Sequence, residues 1–154
     1  MNLQGESGMG KKVQVWIVRG KDRSSLEVLL LKTVAVRGGF WQPVTGSVEQ
    51  EESNFSAAQR ELREETGFCL SSDELSAIGY SFEFDSRWGG RVREEVFAAW
   101  ILDAGTVKID SREHSHFCWV DERQAFFLLH HEETKKCFQK VLKFFSDHFS
   151  IREN

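Results

Sequence analysis

The stretch from Gly46 to Phe68 reads GSVEQEESNFSAAQRELREETGF. Its spacing predicts a helix from about Ser53 to Thr66. Phe55, Ala58 and Leu62 recur at i, i+3 and i+7 and form an apolar face to lie on a sheet. Ser53 offers a capping hydroxyl, and Gly67 suits a left-handed C-terminal cap. Glu51 and Glu52 fall at or just before the first turn, where negative charge meets the positive end of the helix dipole. Glu61, Glu64 and Glu65 stand at i, i+3 and i+4, so three carboxylates crowd one flank. Carboxylates that close repel one another. A fold that keeps them is expected to hold a hard divalent cation there, because Mg²⁺ favours carboxylate oxygens and completes its shell with water and substrate phosphates. An amphipathic helix with a solvated acidic face is the plainer reading, but it explains neither the placed glycines nor Glu52. Arg60, four residues before Glu64, is close enough to orient a carboxylate and brings the counter-charge that the cluster lacks. A surface ion pair of little energetic value is its plainer role.

These residues resemble a known pattern. Gly46, Glu52, Arg60, Glu61, Leu62, Glu64, Glu65, Gly67 and Phe68 fill every defined position of the Nudix box, G-x5-E-x7-R-E-U-x-E-E-x-G-U with U apolar. The resemblance implies an α/β Nudix fold, an α/β/α sandwich with a central mixed β-sheet, and a hydrolase of phosphoric anhydrides that uses Mg²⁺, with Mn²⁺ as an alternative.

Composition agrees with one catalytic domain. The 154 residues are 40% hydrophobic, with thirteen Phe and five Trp, enough for a core. A formal net charge of −4 argues against a broad nucleic-acid binder, so a phosphate substrate is expected to be drawn by metal and local Lys or Arg. Cys69, Cys118 and Cys137 share no C-x-x-C spacing and suggest neither a disulfide framework nor a zinc site. The apolar runs are short for a membrane span, and the N-terminus lacks the apolar stretch of a secretory signal, so a cytoplasmic monomer or homodimer is expected. Residues 1–10 read as a Gly/Ser-rich disordered tail before a domain over 11–150.

Along the chain, Val13–Val18 and Glu27–Leu31 read as strands around the polar turn Gly20–Ser25. Phe40–Thr45 runs extended into Gly46, with Pro43 excluding helix interior. Ala77–Phe84 and Val92–Leu102 read as strands joined through Ser86–Gly90, where Gly89-Gly90 favours a hairpin. A strand over His116–Val120 leads into a short helix near Asp121–Leu129 and a longer one from about Glu132 to Phe149. Cys137, Val141, Leu142, Phe144, Phe145 and Phe149 are expected to pack that last helix on the sheet.

In several Nudix branches a glutamate just before such a strand reaches the metal from opposite the box helix. The run Glu113-His114-x-x-x-x-Trp119 makes Glu113 the matching distal ligand, and a solvated loop carboxylate is its plainer role. Glu94 and Glu95 compete for the place, since strand alternation sends one to each face. His114 and His116 read as a turn contact or a half-buried imidazole. Phe40–Glu49, FWQPVTGSVE, resembles the W-Q-x-V-T-G-S-x-E signature of the dihydroneopterin triphosphate (dATP) pyrophosphohydrolases, over roughly residues 12 to 145. That likeness implies substrate contact at Thr45, metal at Glu61, Glu65 and Glu113, a phosphate-binding basic residue matched most nearly by Lys32, and cleavage of a triphosphate to monophosphate and pyrophosphate. The loop Val34–Gly39 departs from that branch's acidic, Pro-bearing loop.

From the residues, Glu61, Glu64, Glu65 and Glu113 are the metal set, and Glu64 or Glu61 is the base, since a carboxylate among others has its proton affinity raised. Arg60 and Glu52 support them. The backbone carbonyl beside Gly46 is a further ligand by resemblance, and Thr45, Gly46, Lys32 and Trp41 are the substrate contacts. Trp41, Phe40, Trp88 and Tyr80 are candidates to stack on a base or pterin. Alternatives are a dinucleoside tetraphosphate hydrolase, which usually carries K-G-H where this chain has Thr45-Gly46-Ser47, a nucleotide-sugar hydrolase, and a silent nucleotide sensor, a class that typically loses box carboxylates kept here.

Overall fold

In the computed structural model, residues 9–102 and 105–148 are described. The elements run β1 (Met9–Arg19), β2 (Glu27–Thr33), β3 (Trp41–Gln42), β4 (Val44–Ser47), α1 (Asn54–Thr66), β5 (Ser76–Asp85), β6 (Arg91–Ile101), β7 (His114–Val120), α2 (Glu122–Leu128) and α3 (Glu132–His148). The strands form one seven-stranded sheet in the order β3-β2-β1-β6-β5, with β4 added to β1 and β7 to β2. β1 and β6 are parallel and the other pairings antiparallel, so the sheet is mixed.

The alternation of β1 explains the layering. Val13, Val15 and Ile17 meet α1 in one core with Leu62, Phe97 and Ala58. Trp16 and Val18 meet the other side, with Phe138, Val141 and Phe145 of α3 and Ala125 of α2. Both faces are covered, which is why this strand reads as a near-continuous apolar run. The result is the α/β/α sandwich expected.

Several boundaries move for identifiable reasons. β1 already begins at Met9, where Met9 and Gly10 pair with Arg91 and Val92, so these two residues of the expected tail are strand; the rest of it lies outside the described residues. β7 starts at His114 rather than His116 because a register shift after Lys32 lets Thr33 pair with His114. The extended segment Phe40–Thr45 is two short strands on different partners: Trp41 and Gln42 pair with β2, Val44 to Ser47 with β1. Pro43, which has no N–H to donate, sits at the switch. The β5–β6 turn uses Gly89 and Gly90 at φ +99° and +87°, the left-handed backbone the hairpin signal implied. Phe149 lies outside the described residues.

Among the described residues the three cysteines are free, and no helix is long and apolar enough to cross a membrane. Phe138, fully buried, stacks on Trp16 at 5.1 Å between centroids and lies 4.9 Å from Phe126. It joins both C-terminal helices to the sheet, so Phe138→Ala should destabilise the protein by about 3–5 kcal/mol in urea unfolding.

Candidate active site

α1 is set by its ends and one face. Ser53 Oγ accepts from the Ser56 amide at 3.0 Å, and Gly67 closes the helix at φ +84° with its N–H on the Arg63 carbonyl at 2.9 Å. Ala57, Ala58 and Leu62 are buried against the sheet. This rotation turns Glu61 and Glu65 toward β4, where Val44 and Gly46 share the α1 side. A Cβ on Gly46 would overlap the Glu61 carboxylate. Glycine is needed there for close approach, not for an unusual φ.

Arg60 ties the acids together. Its Nε and Nη2 make a two-pronged contact with Glu52, at 2.8 and 3.0 Å. Nη1 reaches Glu61 Oε2 at 3.0 Å and Glu64 Oε1 at 3.3 Å, and Nη2 donates to the Ser47 carbonyl at 2.8 Å. The Glu49 amide adds a donor to Glu52 at 2.9 Å. The Arg60 hydrogen bonds, helped by that backbone contact, hold the Glu52 carboxyl below its ordinary range. The guanidinium in turn is made still harder to deprotonate, first by Glu52.

Glu65 is 2% exposed, and its Oε1 has no hydrogen-bond partner. Burial first, then a hydrogen bond with Glu61 and the charges of Glu61, Glu113 and Glu64, push its carboxyl well above the ordinary range. His114, equally buried, stands with Nε2 3.7 Å from Glu65 Oε1, and burial shifts it toward the neutral form. Glu113 lies 3.6 Å from Arg37. Among the described residues no three His, Cys, Asp or Glu side chains converge so as to hold a metal ion in this arrangement, in which Arg60 engages Glu61 and Glu64 and Arg37 stands by Glu113. The donor set nonetheless fits a hard divalent cation: every donor is a carboxylate oxygen, and one buried oxygen lacks a partner that either a proton or a cation supplies.

The other sequence-predicted residues divide between the two faces. Thr45, next to Gly46 but out of phase with it, lines a cavity of about 530 Å³ on the α3 side. Phe40 lines it too, whereas Trp41 and Tyr80 pack into the α2/α3 core and Trp88 is 84% exposed at the hairpin. Lys32 is out of phase with the α1-facing Leu31 and lies 6.0 Å from the Trp41 ring centroid, so it is not brought beside the acidic helix. Glu94 faces the cavity, and Glu95 binds Asn54 at the start of α1 through a 2.8 Å contact. His116 is exposed against Ser115. Sequence reasoning missed Gln14, Phe82 and Phe84, which also line the cavity. Gln14 left a signal, a lone polar residue inside the apolar run Val13–Val18.

Comparison with known proteins gives the family. A NUDIX domain profile matches residues 10–141, and the chain belongs to that family; it is a Nudix hydrolase. An octanoyltransferase of Myxococcus xanthus is 35% identical over 112 residues, 72% of this chain, which spans only 30% of that protein's length. The asymmetrical bis(5'-nucleosyl)-tetraphosphatase of Mus musculus is 28% identical over 127 residues, covering 80% of this chain and 83% of that protein. Among solved structures, a C. elegans Ap4A hydrolase binary complex superposes with a TM-score of 0.76 at 21% identity, over 90% of this chain and 98% of the other. The E. coli dihydroneopterin triphosphate pyrophosphohydrolase does so with 0.72 at 23% identity, over 84% and 92%.

The protonated, buried Glu65 has a thermodynamic consequence in metal-free protein. Its folded-state proton affinity exceeds the unfolded one, so its contribution is fully present below about pH 4.5 and is lost progressively as pH rises above that value. Glu65→Gln, which keeps the shape without the ionisation, should therefore be more stable than wild type at neutral and alkaline pH and equal to it in acid, by urea midpoints in chelator.

Proposed function

We propose that this enzyme is a Mg²⁺-dependent pyrophosphohydrolase, with Mn²⁺ as an alternative ion, that splits a nucleoside, deoxynucleoside or dihydroneopterin triphosphate into the monophosphate and pyrophosphate. The observation that carries it is the buried, unpartnered Glu65 oxygen beside Glu61 on the flank of α1 facing Gly46. Glu61, Glu64, Glu65 and Glu113, with the carbonyl beside Gly46, are the ligands. A bound divalent cation supplies neutralising charge for phosphate oxygens and lowers the pKa of a water.

The protein's own groups then divide the work. Glu64 is the general base: it is exposed, and Arg60 contacts only its Oε1, at 3.3 Å, so one of its oxygens can take a proton from an attacking water. Glu61 is more constrained, wedged against Gly46 and held at 3.0 Å by Arg60. Arg60 keeps the carboxylates in register, and Glu52 keeps Arg60 in place. Thr45 and Gly46, consecutive on β4, address the cavity and the acids respectively. Among the described residues β4 pairs with β1 alone, so a substrate can seat its ring in the cavity and pass its phosphates around the other edge of β4. Lys32 and Trp41 take their substrate roles from the W-Q-x-V-T-G-S-x-E likeness, which favours this substrate class.

Dinucleoside tetraphosphate hydrolysis is the second reading, favoured by the likeness to the mouse tetraphosphatase along most of its length. Products separate the two. With Mg²⁺ and a panel of nucleoside triphosphates, dihydroneopterin triphosphate, diadenosine tetraphosphate and sugar nucleotides, the expected result is monophosphate plus pyrophosphate from a triphosphate. Exclusive cleavage of the tetraphosphate favours the second reading, and no turnover across the panel overturns both.

Glu64→Gln should lower kcat by about 10²-fold or more while the urea midpoint stays at the wild-type value, because no apolar packing is touched. Near-full turnover removes Glu64 from the reaction. Gly46→Ala should displace Glu61 and weaken Mn²⁺ binding, measured by calorimetry, together with kcat.

A further inference from the structure

The floor of the cavity beyond Thr45 holds a buried carboxyl. Glu94, 5% exposed, lies there beside Gln14, whose Nε2 donates to Glu94 Oε2 at 2.8 Å. Gln14 is itself fixed, because the Trp16 indole, a donor only, gives its proton to Gln14 Oε1 at 2.6 Å. The amide therefore points its carbonyl at the indole and its amino group at the carboxyl. Glu94 Oε1 has no hydrogen-bond partner among the described residues. Phe40, Phe82 and Phe84 line the same cavity, the last two with centroids 5.9 Å apart. Burial shifts the Glu94 carboxyl toward its neutral form; Lys12, which also faces the cavity, and the Gln14 amide favour the charged form, and Glu133, facing it too, opposes that form.

A carboxyl with an unengaged oxygen, in a slot with aromatic sides, suits the edge of a planar ring. In its charged form, which Lys12 and the Gln14 amide favour and which two further N–H donors would stabilise, its best complement is an edge with two adjacent N–H donors that the two oxygens accept in parallel. The 2-amino-4-oxopyrimidine ring of guanine and of pterins carries such an edge. Adenine and cytosine place an acceptor beside the amino group. A ring without the paired donors leaves the buried carboxylate unsatisfied, which costs more than a missing contact on an open surface.

We propose that Glu94, oriented by Gln14, is a specificity-determining residue that selects substrates with a 2-amino-4-oxopyrimidine ring, guanine nucleotides and pterin triphosphates, over adenine and cytosine nucleotides. The assignment rests on the cavity as the ring subsite of the hydrolytic site proposed above.

GTP and ITP differ only in the 2-amino group and form the test pair. Wild type should prefer GTP by roughly ten- to hundredfold in kcat/KM, and Glu94→Gln should bring the ratio to within about threefold. Gln14→Ala, which releases Glu94, should lower the ratio in the same direction and covers the case in which Glu94→Gln does not fold. Equal use of GTP and ITP by wild type, or an undiminished ratio in the variants, overturns the assignment. Binding of guanosine and inosine to metal-free protein, followed by calorimetry, separates the two proposals because neither ligand has phosphates. Guanosine selectivity lost in Glu94→Gln, with no triphosphate hydrolysed, supports the ring assignment and refutes the hydrolytic one. Hydrolysis without GTP/ITP discrimination does the reverse.

Discussion

A single guanidinium makes the acidic flank of α1 tenable. Without Arg60, Glu52, Glu61 and Glu64 would face one another with no cation between them, and the mutual repulsion would splay the helix flank from β4. Arg60 meets all three and also takes the Ser47 carbonyl, so it fastens the start of the box, the turn before the helix and the helix itself at one point. The pair with Glu52 is two-pronged and mostly shielded, with side chains 16% and 15% exposed, which separates it from the weak ion pairs of an open surface. Glu65 lies outside Arg60's reach and answers the same repulsion differently: burial and the neighbouring carboxylates raise its own proton affinity. Guanidinium and proton hold the charges that a divalent cation would otherwise balance.

Much of this was legible because it is local. The limits of α1 fall within a residue of the expected ones, since Ser53 and Gly67 are caps whose geometry depends on their immediate neighbours. The β5–β6 hairpin follows from two glycines, and the C-terminal helix from its apolar stripe. Arg60 was read toward Glu64, one turn away, while its main partner is Glu52. That contact requires the chain to turn back at Glu51, the one non-glycine described residue with positive φ, at +66°. No spacing rule carries such a turn.

The distribution of residues between the two faces was only half legible. Alternation tells that Glu94 and Glu95 part company, but which of them shares the α1 side depends on the parallel register of β6 on β1, where Glu95 stands beside Val13. The same holds for Lys32, whose side follows from Leu31 only once Leu31 is known to face α1. The cavity was the least legible feature. Its lining comes from β1, β4, β5, β6 and α3, and single residues such as Phe82 and Phe84 read as ordinary strand hydrophobics until those strands are assembled.

The parallel ladder between the first strand and the sixth also dictates an order of events. Lys12 finds its neighbour Glu94 only after most of the domain has emerged from the ribosome. The caps of the box helix depend on nearby sequence, whereas the slot beyond Thr45 needs strands distant in the chain to meet. Loop closure on that scale slows folding and leaves the early strands exposed in the interval. The part of the molecule that would choose among rings is thus the part with the longest wait for its neighbours.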